Sequence, residues 1–227
     1  MNRRLSLAFL ALGISSLVLG ALAVASTSWQ AAWLGWPALS FTSLGVAYLG
    51  YPSFGPSKNV TTGKVTFRSK IFFAPYLLLT VFLWHVLRSI SRQTPYVELI
   101  PGLWIGRRLL KKEYPQGLKS IADLTVEWDE QRPDGDVVYT NAPLLDGATL
   151  PSAELLALGS TIAQLPRPTY LHCAQGHGRT AMVAAAVLVA TKHCASPQKA
   201  LELIEESRPG ARPSRIQRAA VLGMRVS

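Results

Sequence analysis

Residues 170–180, Tyr-Leu-His-Cys-Ala-Gln-Gly-His-Gly-Arg-Thr, bring a thiol, two glycines, a guanidinium and a hydroxyl group into one short stretch. The apolar residues before Cys173 predict the end of a buried strand, and the Ala/Val-rich run after Thr180 predicts a buried helix. Backbone N–H groups where such a helix begins can form a nest that binds a dianion the size of phosphate. The residues that we expect to hold this anion are Ala174, Gln175, Gly176, His177, Gly178 and Arg179.

The side chains of this stretch are those that nucleophilic catalysis on a phosphoryl group requires. A thiolate is the nucleophilic form of cysteine, and a helix N-terminus with inward-pointing amides lowers a thiol pKa into the range of about 3.5–7.5. Cys173 is therefore the predicted nucleophile, and its attack on phosphorus would form a phosphocysteine. The guanidinium of Arg179 can bind two phosphoryl oxygens through the transition state. The hydroxyl of Thr180 can donate to the sulfur, which makes the sulfur a better leaving group in the second step.

The run His172-Cys173-x5-Arg179-Thr180 resembles the signature of the protein tyrosine phosphatase superfamily. Its Gly178-Arg179-Thr180 ending looks more like the tyrosine-specific and phosphoinositide branches than the Ser-Arg-Ser ending of many dual-specificity enzymes. The resemblance implies a cysteine-dependent phosphatase. The alternative interpretation is a small buried cysteine beside a glycine-rich turn, which would leave the agreement at five motif positions to chance.

A phosphatase of this kind also needs a proton donor for the leaving group, and loop aspartates are the candidates. Asp146 lies 27 residues before Cys173, after a predicted strand and beside Gly147. The segment from Tyr139 to Asp146 looks like the Tyr…Pro…Asp lead-in to the general acid of the dual-specificity phosphatases, so the resemblance selects Asp146. Asp129 is the rival, because Trp128-Asp129 is similar to the Trp-Pro-Asp loop of tyrosine-specific relatives without its proline.

The histidines have different predicted roles. His172 is expected to position the loop through hydrogen bonds. His177 either adds positive charge to the pocket when protonated or is a solvated residue at its rim. No His/Cys cluster occurs at ligand spacing, so we expect neither a metal nor a cofactor. Three later arginines form either a second anionic subsite or a set of solvated charges: Arg208, Arg212 and Arg215.

Around this motif, short apolar strands alternate with helices, which predicts a layered α/β domain with a central sheet flanked by helices. The predicted strands are residues 97–100, 103–105, 120–125, 137–139 and 169–172, and the turn at Pro101-Gly102 predicts that the first two form a hairpin. The predicted helices are residues 152–165, capped by Ser152, a helix from Arg179, then 197–207 and 214–223. The order resembles the catalytic domain of the dual-specificity phosphatases over residues 97–222, and we assign residues 91–227 to that domain.

The N-terminal part of the chain has a different composition. Residues 5–57 contain no Asp, Glu, Lys, Arg or His, which is long enough for two membrane spans of about 20 residues. We expect spans at residues 5–25 and 29–51, joined by a turn at 26–28, so that residues 1–57 form a transmembrane hairpin. A cleaved signal peptide is the rival for the first segment, although its apolar run is long for one. A basic loop follows at 58–70, and an apolar segment at 71–90 is expected either to span the bilayer or to lie in its interface.

The net charge of +10 is concentrated in the same region. The first 97 residues contain eight Lys or Arg and no acidic residue, whereas the remaining 130 contain 15 basic and 13 acidic residues. The basic residues therefore indicate the cytoplasmic side of a membrane and anionic lipid headgroups, not a nucleic acid partner. A thiol nucleophile and two cysteines without a disulfide framework also favour a cytoplasmic catalytic domain.

Together these features predict a multi-pass membrane protein with a phosphatase domain that uses Cys173 as nucleophile and Asp146 as general acid. Its partners would be the lipid bilayer and a phosphorylated protein substrate carrying phosphotyrosine, or phosphoserine and phosphothreonine. A phosphorylated membrane lipid or phosphoinositide is the alternative substrate. A non-catalytic phosphate-binding module and a rhodanese-like sulfurtransferase are the alternatives from other classes, disfavoured by Arg179, Thr180 and Asp146.

Overall fold

The structure is a computed structural model, and it describes residues 3–25, 33–133 and 135–225, with the side chains of residues 23–25 excepted. The chain divides into two compact units. The first unit comprises Met1–Asn59 and Val65–Ser91, and the second comprises Val60–Lys64 and Arg92–Ser227. The predicted turn at 26–28 lies outside the described residues.

The first unit is built from apolar helices. Helix α1 runs over Arg3–Ala25 and α2 over Gly35–Tyr48; after a short hairpin of β1 (Lys58–Asn59) and β2 (Lys64–Val65) come α3 (Phe67–Phe72) and α4 (Ala74–Ile90). Within the described residues, α1 is the helix long and apolar enough to cross a membrane, with a mean hydropathy of 2.2 over Arg3–Leu22. The second predicted span, residues 29–51, contains the 14 residues of α2; residues 29–32 lie outside the described residues, and the span stays a prediction.

Helices α1 and α2 pack closely because glycines leave room at their contact. A Cβ at Gly13 would lie 2.2 Å from Oγ1 of Thr42, and one at Gly45 would lie 2.7 Å from Cγ of Leu10. The hydroxyl of Ser6 donates to the carbonyl of Gly45 at 2.9 Å. These contacts pair the start of α1 with the end of α2, so the two helices run antiparallel.

The third apolar segment, residues 71–90, corresponds mainly to α4, and only its first two residues belong to α3. Helix α3 ends at Phe72 and α4 begins at Ala74, with Phe73 between them. Pro75 lies in the first turn of α4, where its missing N–H costs no helical hydrogen bond. Helix α4 has 17 residues, at the short limit for crossing a bilayer.

The second unit contains a five-stranded sheet in the order β3-β4-β7-β5-β6. The strands are β3 (Tyr96–Ile100), β4 (Leu103–Arg107), β5 (Ser120–Thr125), β6 (Val138–Leu144) and β7 (Thr169–Cys173). Strand β3 pairs antiparallel with β4, as the turn at Pro101-Gly102 predicts, and the other pairings are parallel. Strand β7, which ends at the motif cysteine, lies at the centre of the sheet, and its five residues are all buried, as are the six residues of β5.

Four helices complete the second unit: α5 (Ser152–Ala163), α6 (Gly178–Ala190), α7 (Pro197–Ser207) and α8 (Arg215–Leu222). They share the main apolar core with one face of the sheet, and α6 is buried along most of its length. The other face packs against a smaller cluster that includes Tyr114 and Tyr170. The predicted α/β class with a central sheet and flanking helices is confirmed.

One predicted cap is wrong. Ser152 is the first residue of α5, and Pro151 occupies the N-cap position, because the Ser152 hydroxyl donates instead to the carbonyl of Ala220 at 2.8 Å. Among the described helices, hydroxyl groups cap α3, α7 and α8, whose N-cap residues are Thr66, Ser196 and Ser214.

Candidate active site

The motif cysteine lies where β7 ends, and the loop after it leads directly into α6. Cys173 is the last residue of β7 and is 3% exposed. Helix α6 begins at Gly178, so the first turn of the helix carries Arg179 and Thr180. Gly176 has a φ of +71°, and a Cβ there would lie 2.3 Å from the carbonyl carbon of Gly106 on β4. The loop therefore packs against β4 so closely that only glycine fits at this position.

Arg179 is completely buried and held in a fixed orientation. Its Nη1 and Nη2 donate to the two carboxylate oxygens of Glu127 at 3.0 and 2.7 Å, and Nη1 also donates to the carbonyl of Leu144 at 2.7 Å. Burial alone would lower the pKa of Arg179, but the carboxylates of Glu127 and Asp146 raise it well above its ordinary value. The guanidinium is a permanent positive charge at the start of α6.

Two buried donors beside this loop make no hydrogen bond among the described residues: Nε of Arg179 and the hydroxyl of Thr180. A buried donor without an acceptor costs about 1–3 kcal/mol of stability. Such donors therefore usually bind a ligand or a water molecule in the working protein. Both residues lie in the first turn of α6, where the backbone N–H groups of the helix also have no acceptor within the helix. The site therefore has spare capacity to bind an anion.

Asp146 is brought to the same guanidinium. Its Oδ1 lies 3.1 Å from Nη2 of Arg179, and its side chain is 74% exposed. It lies on the loop after β6, next to Gly147, which has a positive φ of 68°. The carboxylates against Arg179, within the part of the chain that the structure describes, are those of Glu127 and Asp146.

The rival aspartate has a different environment. The backbone carbonyl of Asp129 accepts a hydrogen bond from Arg108 at 2.8 Å. The guanidinium of Arg108 lies 4.9 Å from the ring centroid of Trp128. The Trp128-Asp129 segment is thus held by Arg108, whereas the geometry brings Asp146 to Arg179.

His172 lies in a buried network of acids and tyrosines on the sheet. Its Nε2 is 3.3 Å from a carboxylate oxygen of Glu130, and its ring stacks on Tyr170 at 5.4 Å. Tyr114 donates to Glu130, and Asp123 on β5 is the direct cross-strand partner of His172. Burial raises the pKa of Glu130, but the attraction of His172 outweighs this effect and the pKa is lowered overall.

The ligand atoms of Asp123, Glu130 and His172 lie within 4.8 Å of one another, a cluster that sequence spacing did not reveal. Asp123 already accepts hydrogen bonds from the N–H of Thr125, the hydroxyl of Thr125 and the hydroxyl of Tyr139, at 2.7–2.8 Å. Because the carboxylate of Asp123 is occupied and Glu130 is paired with His172, the arrangement is that of a hydrogen-bonded acid–imidazole network.

His177 faces the rim of the loop. Its Nε2 lies 2.9 Å from Oε1 of Gln93, whose amide group donates to the carbonyl of Pro209. Because the Gln93 amide group is used in this way, Nε2 of His177 carries a hydrogen. Burial and the positive charge of Arg208 lower the pKa of His177, whereas Asp146 opposes them. The ring is therefore neutral near pH 7, and its expected role as a positive charge is not favoured.

Arg208 and Arg212, two of the three later arginines, lie in different environments. Arg208 is 3% exposed and donates to the carbonyls of Gly176 and Thr94 at 3.3 and 2.8 Å, so it fixes the loop. Arg212 forms an exposed ion pair with Glu205. The contacts of these two arginines do not indicate a shared anionic subsite.

Sequence reasoning missed two acidic residues of the site. Glu127 holds Arg179 across 52 residues of sequence, and Glu130 lies against His172. The available signal was a pair of carboxylates directly after the buried strand β5, since polar residues at the end of a parallel strand meet those of its neighbour.

No protein-family model matches the chain, and no curated protein matches it. Solved structures do match it. Human DUSP28 is 21% identical, with 56% of this chain and 90% of that chain covered and a TM-score of 0.48. OH1 from the Orf virus, a tyrosine phosphatase, is 17% identical, with 64% and 95% covered and a TM-score of 0.47. PTPMT1 in complex with PI(5)P is 16% identical, with 56% and 92% covered and a TM-score of 0.49.

Proposed function

We propose that this protein is a membrane-anchored, cysteine-dependent phosphatase that hydrolyses phosphate monoesters through a phosphocysteine. The observation that carries the proposal is the buried Arg179, fixed by Glu127 in the first turn of α6, with its Nε and the Thr180 hydroxyl still able to donate. A cysteine at the end of the preceding strand and an aspartate on the arginine complete the set of groups that phosphoryl transfer needs.

In the first step the Cys173 thiolate attacks phosphorus, an S–P bond forms and the bond from phosphorus to the leaving oxygen breaks. The loop N–H groups and Arg179 bind the three remaining oxygens, and this binding strengthens as negative charge redistributes. Asp146 gives its proton to the leaving oxygen. Arg179 exchanges its contact with Asp146 for phosphoryl oxygens as the substrate binds, which leaves the exposed carboxyl group facing the leaving group.

In the second step a water molecule attacks phosphorus, Asp146 accepts a proton from the water, and the S–P bond breaks. The products are inorganic phosphate and the Cys173 thiolate. The Thr180 hydroxyl donates to the departing sulfur, so its buried position beside the loop stabilises the thiolate. The enzyme returns to its starting state without an external reductant or cofactor.

The proposed substrates are proteins carrying phosphotyrosine, with phosphoserine and phosphothreonine as further candidates. A phosphorylated membrane lipid is the second candidate, and the apolar surface of the first unit favours it. Large exposed hydrophobic residues on α1 and α4 include Leu7, Ile14, Leu19, Leu22, Leu78, Phe82 and Ile90, each more than half exposed. Such a surface is stable in lipid and would hold the chain at the membrane where phospholipids lie.

Turnover by the full chain in detergent micelles tests the proposal. Wild-type protein should hydrolyse 4-nitrophenyl phosphate, and Cys173→Ser should lower the rate by roughly 10³-fold or more, as expected for loss of a nucleophile. Cys194→Ser is the matched control, because Cys194 lies at the far end of α6 and should leave the rate unchanged. Undiminished turnover in Cys173→Ser would contradict the proposal, as would phosphate binding without turnover in the wild type.

The same protein preparation is used to test the substrate class. A phosphotyrosine peptide and a phosphatidylinositol phosphate in vesicles are compared by kcat/KM in phosphate release. Preference for the peptide supports the protein phosphatase assignment, and preference for the vesicle supports the lipid alternative. Turnover of thiosulfate instead of either substrate would indicate a sulfurtransferase.

A further inference from the structure

Residues 92–95 directly precede β3, belong to the second unit and lie against the loop between β7 and α6. Oε1 of Gln93 lies 2.9 Å from Nε2 of His177 in that loop, and the side-chain amide group of Gln93 donates to the carbonyl of Pro209 at 2.9 Å. One side chain therefore joins the loop to the turn that follows α7. Gln93 lies before residues 97–222, the part of the chain that resembles the dual-specificity phosphatases.

A second link between the same segments runs through the buried side chain of Arg208. Its Nη1 donates to the backbone carbonyl of Thr94 at 2.8 Å, and its Nε donates to the carbonyl of Gly176 at 3.3 Å. Two consecutive residues before β3 therefore hold two consecutive residues of the loop. Gln93 holds His177 directly, and Thr94 holds Gly176 through Arg208.

These contacts set the direction of the peptide group between Gly176 and His177. The C=O and N–H of a trans peptide group point in opposite directions. Because the carbonyl of Gly176 points to Arg208, the N–H of His177 points away from Arg208. The carbonyl of Ala174 is held in the same way by the N–H of Arg108 at 3.2 Å, so the N–H of the next residue is also turned away from its support. Loop carbonyls bound on one side leave N–H groups for an anion on the other, as a nest requires.

The turn after α7 leaves room for the amide group of Gln93 because it contains a glycine. Gly210 has a φ of +91°, and a Cβ there would lie 2.8 Å from Nε2 of Gln93. Gln93 itself is exposed, so its place is fixed by its contacts with Pro209 and His177 and not by burial in the core. A substitution at Gln93 therefore removes these contacts without opening a cavity.

We propose that Gln93 is a positioning residue of the anion-binding loop, which holds the ring of His177 so that the N–H of His177 stays directed at the bound phosphoryl group. Gln93 acts through His177 and does not touch the substrate. The inference rests on the proposed function in that the loop is taken as the phosphate site. It extends the catalytic part of the chain at least to residue 93, in the segment that follows α4.

Binding of tungstate, a tetrahedral dianion similar in size to phosphate, tests the inference. The full chain in detergent micelles is dialysed to equilibrium against tungstate, and bound tungsten is measured by elemental mass spectrometry. Gln93→Met keeps the length of the side chain but removes the acceptor for His177 and the donor to Pro209. Its Kd for tungstate should be about fivefold higher than that of the wild type, as expected for loss of an orienting hydrogen bond. An unchanged Kd would overturn the inference.

Gln116→Met is the matched control. Gln116 is an exposed glutamine in the loop before β5, so this variant makes the same chemical change away from the site. Its Kd for tungstate should equal that of the wild type. A loss of affinity as large as that of Gln93→Met would show that the effect does not come from the contact with His177, and would overturn the inference.

A double-mutant cycle separates positioning from a general structural role. His177→Ala removes the ring that Gln93 holds but keeps the backbone N–H, and it should weaken tungstate binding by itself. Adding Gln93→Met to His177→Ala should change the Kd by less than about twofold, because the two side chains act as one unit. A further fivefold loss in the double variant would mean that Gln93 acts independently of His177, which contradicts the inference.

Gly210→Ala provides a second test if Gln93→Met does not fold. Its methyl group should displace Nε2 of Gln93, so the Kd for tungstate should rise, and an unchanged Kd would overturn the inference. Gly117→Ala is its control, because Gly117 has a similar φ of +77° but a Cβ there meets nothing within 4 Å.

Tungstate binding does not depend on turnover, so the two proposals can fail separately. A wild type that binds tungstate but does not hydrolyse 4-nitrophenyl phosphate would contradict the proposed function alone. A wild type that hydrolyses it, with equal tungstate affinity in Gln93→Met, would contradict this inference alone.

Discussion

At the scale of single residues, the contact between Asp146 and Arg179 bears most directly on the proposed roles of the two carboxylates at this arginine. The carboxylate of Asp146 contacts Nη2 of Arg179, and in the proposed mechanism a phosphoryl oxygen of the substrate replaces this contact. Asp146 is largely exposed, whereas Glu127 is buried against the same arginine, so Asp146 is the partner that can leave at low cost. In the proposed mechanism Glu127 therefore orients the arginine, and Asp146 is the carboxylate that transfers protons.

Asp146→Asn should reveal the general acid through the leaving group. A 4-nitrophenolate leaves readily without a proton, whereas the alkoxide of phosphoserine does not. The variant should hydrolyse a phosphoserine peptide about 10²–10⁴ times more slowly than the wild type, and 4-nitrophenyl phosphate much less so. Its rate should also stop falling at high pH, because no acid remains to lose its proton. The measurement is kcat for both substrates across pH.

Asp129→Asn is the control for this prediction, since Asp129 is held by Arg108 through its carbonyl. Its rates should stay near those of the wild type with both substrates. Leaving-group dependence in Asp129→Asn, and not in Asp146→Asn, would show that the proton comes from the Trp128-Asp129 segment.

The sequence could predict the residues that lie close together in the chain, and it could not predict their distant partners. Cys173, Arg179 and Thr180 form a local pattern, so their common loop followed from spacing. Glu127 and Glu130 meet Arg179 and His172 only because β5 pairs with β7 in the sheet. Which carboxylate after a strand meets which cation depends on strand order and register, and neither is encoded locally.

At the scale of elements, local signals located most helices and strands but not their arrangement. The apolar run at 120–125 and the turn at Pro101-Gly102 correspond to β5 and to the β3–β4 hairpin. The sheet order, with β7 between β4 and β5, results from long-range packing. The cap at Ser152 failed for the same reason, because a hydroxyl near a helix start also had a tertiary acceptor in α8.

Hydropathy located the apolar segments, and the bounds of their helices depend on the local backbone. Within the predicted span at 29–51, α2 covers Gly35–Tyr48, and residues 29–32 lie outside the described residues. In the segment at 71–90, α3 ends at Phe72 and α4 begins at Ala74. Hydropathy measures how well residues suit lipid, whereas the start of α4 depends on backbone hydrogen bonds, because Pro75 is tolerated only in the first turn of a helix.

At the scale of the whole molecule, charge and apolar surface divide between the two ends of the sequence. The uncharged residues 5–57 and the absence of acids before Glu98 contrast with the balanced charge of residues 98–227. Helix α1 has the length and hydropathy of a span, and large hydrophobic residues of α4 are exposed. This division is the one that the proposed membrane anchor, followed by a catalytic part in water, would produce.

Reporter fusions should reveal the topology of this anchor. A reporter that is active only in an oxidising exterior compartment should stay silent when fused after residue 227. The same reporter fused after residue 28, between the first two apolar segments, should be active and serves as the positive control. These outcomes follow if residues 1–57 form a hairpin and the basic residues stay inside.

An active reporter at the C-terminus would place the catalytic part outside the cytoplasm. Activity at both positions would mean that the segment at 71–90 crosses the bilayer after the hairpin. Silence at both positions would mean that the first segment does not cross at all.

The most direct test of the central claim is to trap the phosphoryl group on the enzyme. Asp146→Asn protein should transfer phosphate from 4-nitrophenyl phosphate to the thiol readily but hydrolyse the intermediate slowly, because no group activates water. After quenching in detergent within the first turnover, mass spectrometry should find one added phosphoryl group on the peptide that contains Cys173. A phosphoryl group on any other residue, or release of 4-nitrophenolate with no modified peptide, would contradict the account.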